Sequence, residues 1–168
     1  MPKSNLPQLK WNIIVFTIAA LAIVADQITK WWIQNHFCVG QSRPESGFFR
    51  LTYAQNTGAA FSIFWGHSDI LTVVSICGAI LLLLYIFVGY RRYPFLDIRL
   101  NRVAVGLILG GNIGNLTDRV HLGFVRDFVD VGPWPIFNVA DSCEVIGVIL
   151  MAFSILFVSR EAKPEHHQ

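Results

Sequence analysis

Four strongly apolar stretches of the chain carry no charged side chain: residues 11–25, 70–90, 103–117 and 145–159, of 15, 21, 15 and 15 residues. A bilayer crossing takes about 20 predominantly apolar residues, with a lower bound near 17. The second stretch meets that length unaided. Each of the others must take in a flanking turn that contains Asp26, Asp118, or Asp141 with Glu144. Carboxylates so placed belong at the interface or on a cavity, away from hydrocarbon. The pattern predicts four transmembrane helices, over about residues 9–31, 69–91, 100–119 and 138–160. Between the first two, in an outer segment of about 36–68, Phe49, Leu51 and Tyr53 alternate with Arg50 and Thr52, the period of a short strand. Phe61, Phe64 and Trp65 then recur at helical spacing, which suits a short helix lying in the interface. The expected fold is an all-α membrane protein: one integral membrane domain over residues 1–168, four transmembrane helices, a small extracytoplasmic β-containing segment and that short interfacial helix.

Composition sharpens the choice of solvent. Of 168 residues 54% are hydrophobic and 24 are charged, where a soluble chain of this length carries about 42. Mean hydropathy is +0.51. This argues against a cytosolic enzyme, a disordered tail or a soluble helical bundle. A net charge of +2 is too small for a polyanionic partner, so no nucleic acid is expected. Lys3 and Lys10 precede the first stretch and Ala20-Leu21-Ala22 mimics a cleavage site, but the apolar run continues through Ala25, so a retained helix is expected. Cys38, Cys77 and Cys143 form neither a C-x-x-C pair nor a zinc spacing.

Charge placement then gives orientation. With both termini and the 91–102 loop on the cytoplasmic side, that side holds 8 basic and 3 acidic residues, and the outer side 5 and 8. The lysine and arginine excess sets topology. Trp31, Trp32, Trp65 and Trp134 fall at the outer side, as an interfacial belt does.

The third stretch ends G-G-N-I-G-N-L-T-D-R over 110–119. On a helix Asn112, Asn115 and Arg119 share a sector of about 60°, Asp118 lies about 60° further round, and Gly106, Gly110 and Gly114 share the opposite side. Glycines four apart let a neighbouring helix come close, and polar residues in a membrane face pair or line a cavity. Asparagines that glue helices together, or an ion pair of Arg119 with Asp118, would also satisfy this pattern. The fourth helix opens F-N-V-A-D-S over 137–142 after Pro133 and Pro135, placing Asn138 and Asp141 on one face of its first turn. Asp127 lies in V-R-D-F, 14 residues before Asp141, across a proline-bearing turn able to fold one acid towards the other.

Singly, each acid reads as a helix cap or as a partner of Arg119 or Arg126. Together with asparagines at the same depth they form a candidate site. There is no H-E-x-x-H, no G-x-S-x-G and no convincing cysteine–histidine pair. Two carboxylates within reach share one proton, so one can take a proton from water while the other donates to a carbonyl oxygen. That is aspartic peptide hydrolysis. A proton-coupled transporter using Glu144 and a non-enzymatic helix-packing subunit are the rival classes. Transport sites lie near the midplane and often come with internal repeats, which this sequence lacks.

Five ordered motifs carry a family resemblance: D-Q-x-x-K at 26–30, N-T-G-A-A-F-S at 56–62, G-N-L-T-D-R at 114–119, V-x-D-F at 125–128 and F-N-V-A-D-S at 137–142. They closely resemble lipoprotein signal peptidase, or signal peptidase II. The resemblance implies an aspartic endopeptidase of the bacterial inner membrane that cuts prolipoproteins just before a diacylglyceryl-modified cysteine, with its site at the outer leaflet. It implies Asp127 and Asp141 as the catalytic dyad, with Asp26, Asn56, Asn115, Asp118, Arg119 and Asn138 supporting them or contacting substrate. The implied partners are the lipid-modified substrate and membrane lipids; a monomer is expected, with no metal or organic cofactor. Three positions depart from the family pattern: Asn112 replaces a small residue, Arg126 an apolar one, and Glu144 adds a carboxylate one turn past Asp141, where a structural hydrogen bond is its expected role. Arg126 would lower the Asp127 pKa if it folded inward, though neighbours on an extended segment point apart.

Overall fold

The computed structural model describes residues 6–58, 68–92 and 98–158. Among these residues, four long helices and three strands follow one another. Helix α1 is Leu6–His36, and strands β1 and β2 are Ser42–Arg43 and Arg50–Asn56. Helix α2, Ser68–Leu84, runs on through a π turn at Tyr85–Gly89 to Arg92. Then come α3 at Arg99–Leu122, β3 at Val125–Asp130, and α4 at Val139–Phe153, which widens into a π turn over Ser154–Val158. The expected interfacial helix at Phe61, Phe64 and Trp65 lies outside the described residues.

Among the described residues, three helical spans are long and apolar enough to cross a membrane: Trp11–His36, Ser68–Arg92 and Val139–Phe157, with mean hydropathies of 1.8, 2.7 and 2.0. Their outer surfaces are apolar, with Leu21, Leu81 and Ile149 all more than 60% exposed. Helix α3 has the length, at 24 residues, but a more polar sequence. It packs against α1, α2 and α4 and buries Asn101, Arg102, Asn115 and Asp118 among them. Its glycines make that enclosure possible. A Cβ at Gly110 would lie 2.7 Å from Ala22 Cβ, and one at Gly114 would lie 2.7 Å from Asp26 Oδ2. The smooth face read from Gly106, Gly110 and Gly114 therefore meets α1.

Two apolar clusters hold the assembly. Val15, Ala19, Ile86, Tyr90, Val105 and Leu109 lock α1, α2 and α3 together. Ile33 and Phe37, at the end of α1, pack with Tyr53 and Phe128 of the sheet. Burying such a side chain stabilises by about 1.5–3 kcal/mol, and this packing carries α1 to His36 rather than to about 31. Helix α3 stops at Gly123, whose φ of +79° lets its N–H reach Arg119 O at 3.0 Å. That is an αL stop, which glycine makes without steric cost.

The sheet has the order β1-β2-β3, antiparallel throughout. The expected strand over 49–53 is present as β2, though a register shift between Leu51 and Ala54 interrupts its alternation. Thr52 and Tyr53 are consequently both buried. Strand β3, read from sequence only as a short connection, pairs with β2 so that Ala54 faces Asp127 and Asn56 faces Val125.

Candidate active site

Strand β3 supplies Asp127 and the first turn of α4 supplies Asp141. The chain between them folds back through an isolated bridge of Val129 to Phe137, closed by Val129 N–H to Phe137 O at 2.7 Å and the reverse bond at 3.1 Å. The proline-bearing turn thus does return one acid towards the other. Both line a cleft of about 740 Å³ whose polar wall also includes Asn56, Asn115, Arg119 and Glu144 and whose apolar wall includes Val74, Trp134, Ile136 and Val145.

Three asparagines fix the carboxylates. Asn56 Nδ2 donates to Asp127 Oδ2 at 2.9 Å, while its own Oδ1 accepts from Gly58 N at 2.9 Å. Asn115 Nδ2 donates to Asp141 Oδ1 at 2.8 Å. Asn138 serves both acids. Its Nδ2 donates to Asp127 Oδ1 at 2.7 Å, its Oδ1 accepts from Asp141 N at 2.9 Å, and its backbone N–H donates to Asp141 Oδ2 at 3.0 Å. The last two bonds form a capping box, so Asp141 caps its helix and faces the cleft at once. Burial, and then the nearby charge of Asp141, push the Asp127 carboxyl up to about 7 against the hydrogen bonds from Asn56 and Asn138.

Behind this layer lies a buried ionic one. Lys30, Asp26 and Asp118 are all at 0–1% exposure. Lys30 Nζ lies 2.9 Å from Asp26 Oδ2 and 3.5 Å from Asp118 Oδ2, and it donates to Asn115 Oδ1 at 3.0 Å. Asp118 in turn holds Arg126 through Nη2 at 2.6 Å, Nε at 3.0 Å and the backbone N–H at 2.9 Å. Asp26 Oδ1 accepts from Ala140 N at 2.9 Å, which ties α1 to the first turn of α4. Neither Asp26 nor Asp118 lines the cleft.

The residues matched by the family model described as signal peptidase (SPase) II run from 18 to 157. The chain belongs to that family. A lipoprotein signal peptidase of Dehalococcoides mccartyi is 48% identical over 138 residues, covering 82% of this chain and 86% of the relative. One from Moorella thermoacetica is 39% identical over 145 residues, covering 86% and 93%. A bacterial membrane enzyme solved by the in meso method at 2.3 Å superposes with a TM-score of 0.76 at 31% identity, covering 92% of this chain and 93% of its own. As a member of the signal peptidase II family, the chain is a membrane aspartic protease that cleaves the signal peptides of lipoproteins.

The residues anticipated from the sequence separate into two sets. Asp127, Asp141, Asn56, Asn115 and Arg119 open on the cleft, with Asn138 buried between the two acids; Asp26 and Asp118 stand behind as braces. The ion pair considered for Arg119 with Asp118 is replaced by Arg126 and Lys30. Arg119 instead turns to α2, where Nη1 donates to Ser75 Oγ at 3.3 Å. Arg126 points away from Asp127 to Asp118, Gln27 and Gln34. Glu144 makes no hydrogen bond or ion pair among the described residues, so its expected structural bond is not found there. Lys30 and Gln27 went unassigned from sequence, although Lys30 stands one turn from Asp26, where an ion pair is expected on a helix. Ser75 gave no sequence signal.

Proposed function

We propose that Asp127 and Asp141 are the catalytic dyad and that this chain cuts prolipoproteins just before a diacylglyceryl-modified cysteine. The observation that carries this reading is the pair of carboxylates opening on one cleft, each held by two amide donors and joined through Asn138. Asp127, 2% exposed and with its pKa pushed to about 7, holds the shared proton. Asp141, the more exposed of the two, takes a proton from water as the water oxygen attacks the scissile carbonyl carbon. Asp127 gives its proton to the carbonyl oxygen. As the tetrahedral intermediate collapses, that hydroxyl returns the proton to Asp127, the C–N bond breaks, and Asp141 protonates the departing nitrogen. Arg119 and Asn56, on the same cleft, would hold the substrate backbone. The apolar wall suits a signal segment entering from the bilayer while its acyl chains stay in lipid, where each buried methylene contributes about 0.8 kcal/mol.

The same reading makes α3 a fourth span, with residues 1–168 a single membrane domain acting as a monomer. Both termini lie on the cytoplasmic side of the bacterial inner membrane and the cleft lies at its outer leaflet. The excess of lysine and arginine at the termini and the 91–102 loop supports this orientation. No metal or organic cofactor enters the mechanism. The deciding experiment changes Asp127→Asn and Asp141→Asn separately and follows prolipoprotein processing in membranes. Each variant should insert normally and lose activity by about 10²- to 10⁴-fold or more. A normally inserted variant that still cleaves removes its residue from the dyad.

A further inference from the structure

Helices α3 and α4 run antiparallel, and Asn115 of one donates to Asp141 of the other at 2.8 Å. Stepping three residues inward along each helix reaches Asn112 and Glu144, again an asparagine and a carboxyl residue, one turn deeper. Both line the cleft. Glu144 lies over Gly111, where a Cβ would stand 2.7 Å from Glu144 Cγ, so its stem is packed beside Asn112's own turn. On the other side Asn112 Nδ2 abuts Gly78 of α2, 3.3 Å from where a Cβ there would be.

Unlike the pair above it, this one is not joined by a hydrogen bond. The Asn112 Oδ1 atom is buried and has no hydrogen-bond partner among the described residues. The Glu144 carboxyl, half-buried, has no hydrogen bond or ion pair among the described residues. A buried acceptor left unmade costs about 1–3 kcal/mol, which a ligand supplying the missing bond recovers. An amide oxygen accepts, and a carboxyl accepts and, when neutral, also donates. A hydroxyl is the smallest group that complements such a pair, since it both donates and accepts.

We propose that Asn112 and Glu144 form a substrate subsite that recognises a hydroxyl-bearing side chain in the signal segment. This rests on the dyad reading above. Three helical residues correspond to about 4.5 Å, and an extended substrate advances about 3.3 Å per residue. The recognised side chain therefore lies one or two residues upstream of the scissile bond, on the membrane side. Asn112 and Glu144 act as specificity residues and take no part in the proton transfers.

The test uses diacylglyceryl-modified synthetic peptides carrying Ala, Ser, Val or Thr at the first or second upstream position, cleaved by the full chain in lipid nanodiscs. Threonine and valine have the same shape, so their ratio of kcat/KM isolates the hydroxyl. The wild type should favour threonine over valine by about 10-fold at one of the two positions, because a site built for a hydroxyl leaves its polar groups unpaired with the methyl analogue. Asn112→Ala and Glu144→Ala should bring the ratio close to one while keeping cleavage of the alanine peptide within a few-fold. Glu144→Gln, which still accepts and donates, should retain most of the preference. Should Asn112→Ala not fold, the contrast of Glu144→Ala with Glu144→Gln decides. A wild type without preference at either position, or a preference unchanged in Glu144→Ala, overturns the subsite. A wild type that cleaves none of the peptides overturns the dyad reading instead.

Discussion

Asn138 holds more of the site than either aspartate, because one side chain spans two elements. Its Nδ2 reaches Asp127 on β3 while its Oδ1 and backbone N–H complete the cap with Asp141 on α4. Replacing it with alanine removes an N-cap, worth about 1 kcal/mol of stability, and frees both carboxylates. Asn138→Ala should therefore lower kcat by well over the tenfold that 1.4 kcal/mol represents, with a much smaller change in thermal unfolding. An activity loss no larger than the stability loss would show that Asn138 is only a cap. Lys30 works at one remove. It donates to Asn115 Oδ1, which leaves Asn115 Nδ2 turned to Asp141. Lys30→Met leaves Asp26 and Asp118 buried without their ammonium, which should destabilise the protein by about 3–5 kcal/mol. The shared proton sets the pH dependence. With Asp127 pushed up to about 7 by burial and then by Asp141, the proton is present below that pH and lost above it. A pH profile of kcat/KM in nanodiscs should fall on the alkaline side of about pH 7, and a flat profile to pH 9 would remove Asp127 as the proton donor.

At the scale of elements, the close approach of α1 to α3 depends on positions with no side chain. Gly110→Ala places a methyl 2.7 Å from Ala22 Cβ, an overpacking that costs about 1–3 kcal/mol. Its unfolding temperature should drop, with the loss eased by a second change of Ala22→Gly. The rescue is partial, because the same methyl lies 2.8 Å from Ala19 O, and an unfolding temperature unchanged in Gly110→Ala would mean that α1 and α3 do not meet there. The helices themselves were legible because lipid demands long uninterrupted apolar runs, and the glycine face of α3 was legible because 3.6-residue periodicity places Gly106, Gly110 and Gly114 together. Strand β3 was not. Val125, Arg126, Asp127 and Phe128 are all buried, so they show no alternation to read, and only pairing with β2 reveals the strand. The end of α1 was misplaced for a similar reason, since Ile33 and Phe37 gain their burial from Tyr53 and Phe128, distant in sequence. Among the site residues, those in short motifs with their partners nearby could be anticipated. The pairing of Asp118 with Arg126 rather than its neighbour Arg119 depends on how β3 turns back over α3, which spacing alone does not encode.

Among the described residues, the helices turn apolar side chains such as Leu21, Leu81 and Ile149 outward while the charges of Asp26, Lys30, Arg102 and Asp118 are buried between them. The central helix α3 is the least apolar of the four because the other three shield it, and the one acid it holds, Asp118, faces the buried cations Lys30 and Arg126 rather than lipid. This layering makes orientation testable with the three native cysteines. Cys38 is exposed just beyond the end of α1, on the side of the sheet and the cleft; Cys77 is exposed within the apolar span Ser68–Arg92; and Cys143 is half-buried in the first turns of α4. Variants keeping one cysteine each, with serine at the other two positions, separate the three environments. With the orientation proposed above, a membrane-impermeant maleimide added to intact spheroplasts should label Cys38 without permeabilisation. Cys77 should stay unlabelled from either side, because a surface facing hydrocarbon offers neither the aqueous reagent nor the thiolate it needs. Labelling of Cys38 only in inverted vesicles would reverse the topology and put the dyad on the cytoplasmic side. Labelling of Cys77 in intact membranes would mean that the outward face of α2 borders water, and that the charge deficit of this chain serves an interface between proteins rather than one with lipid.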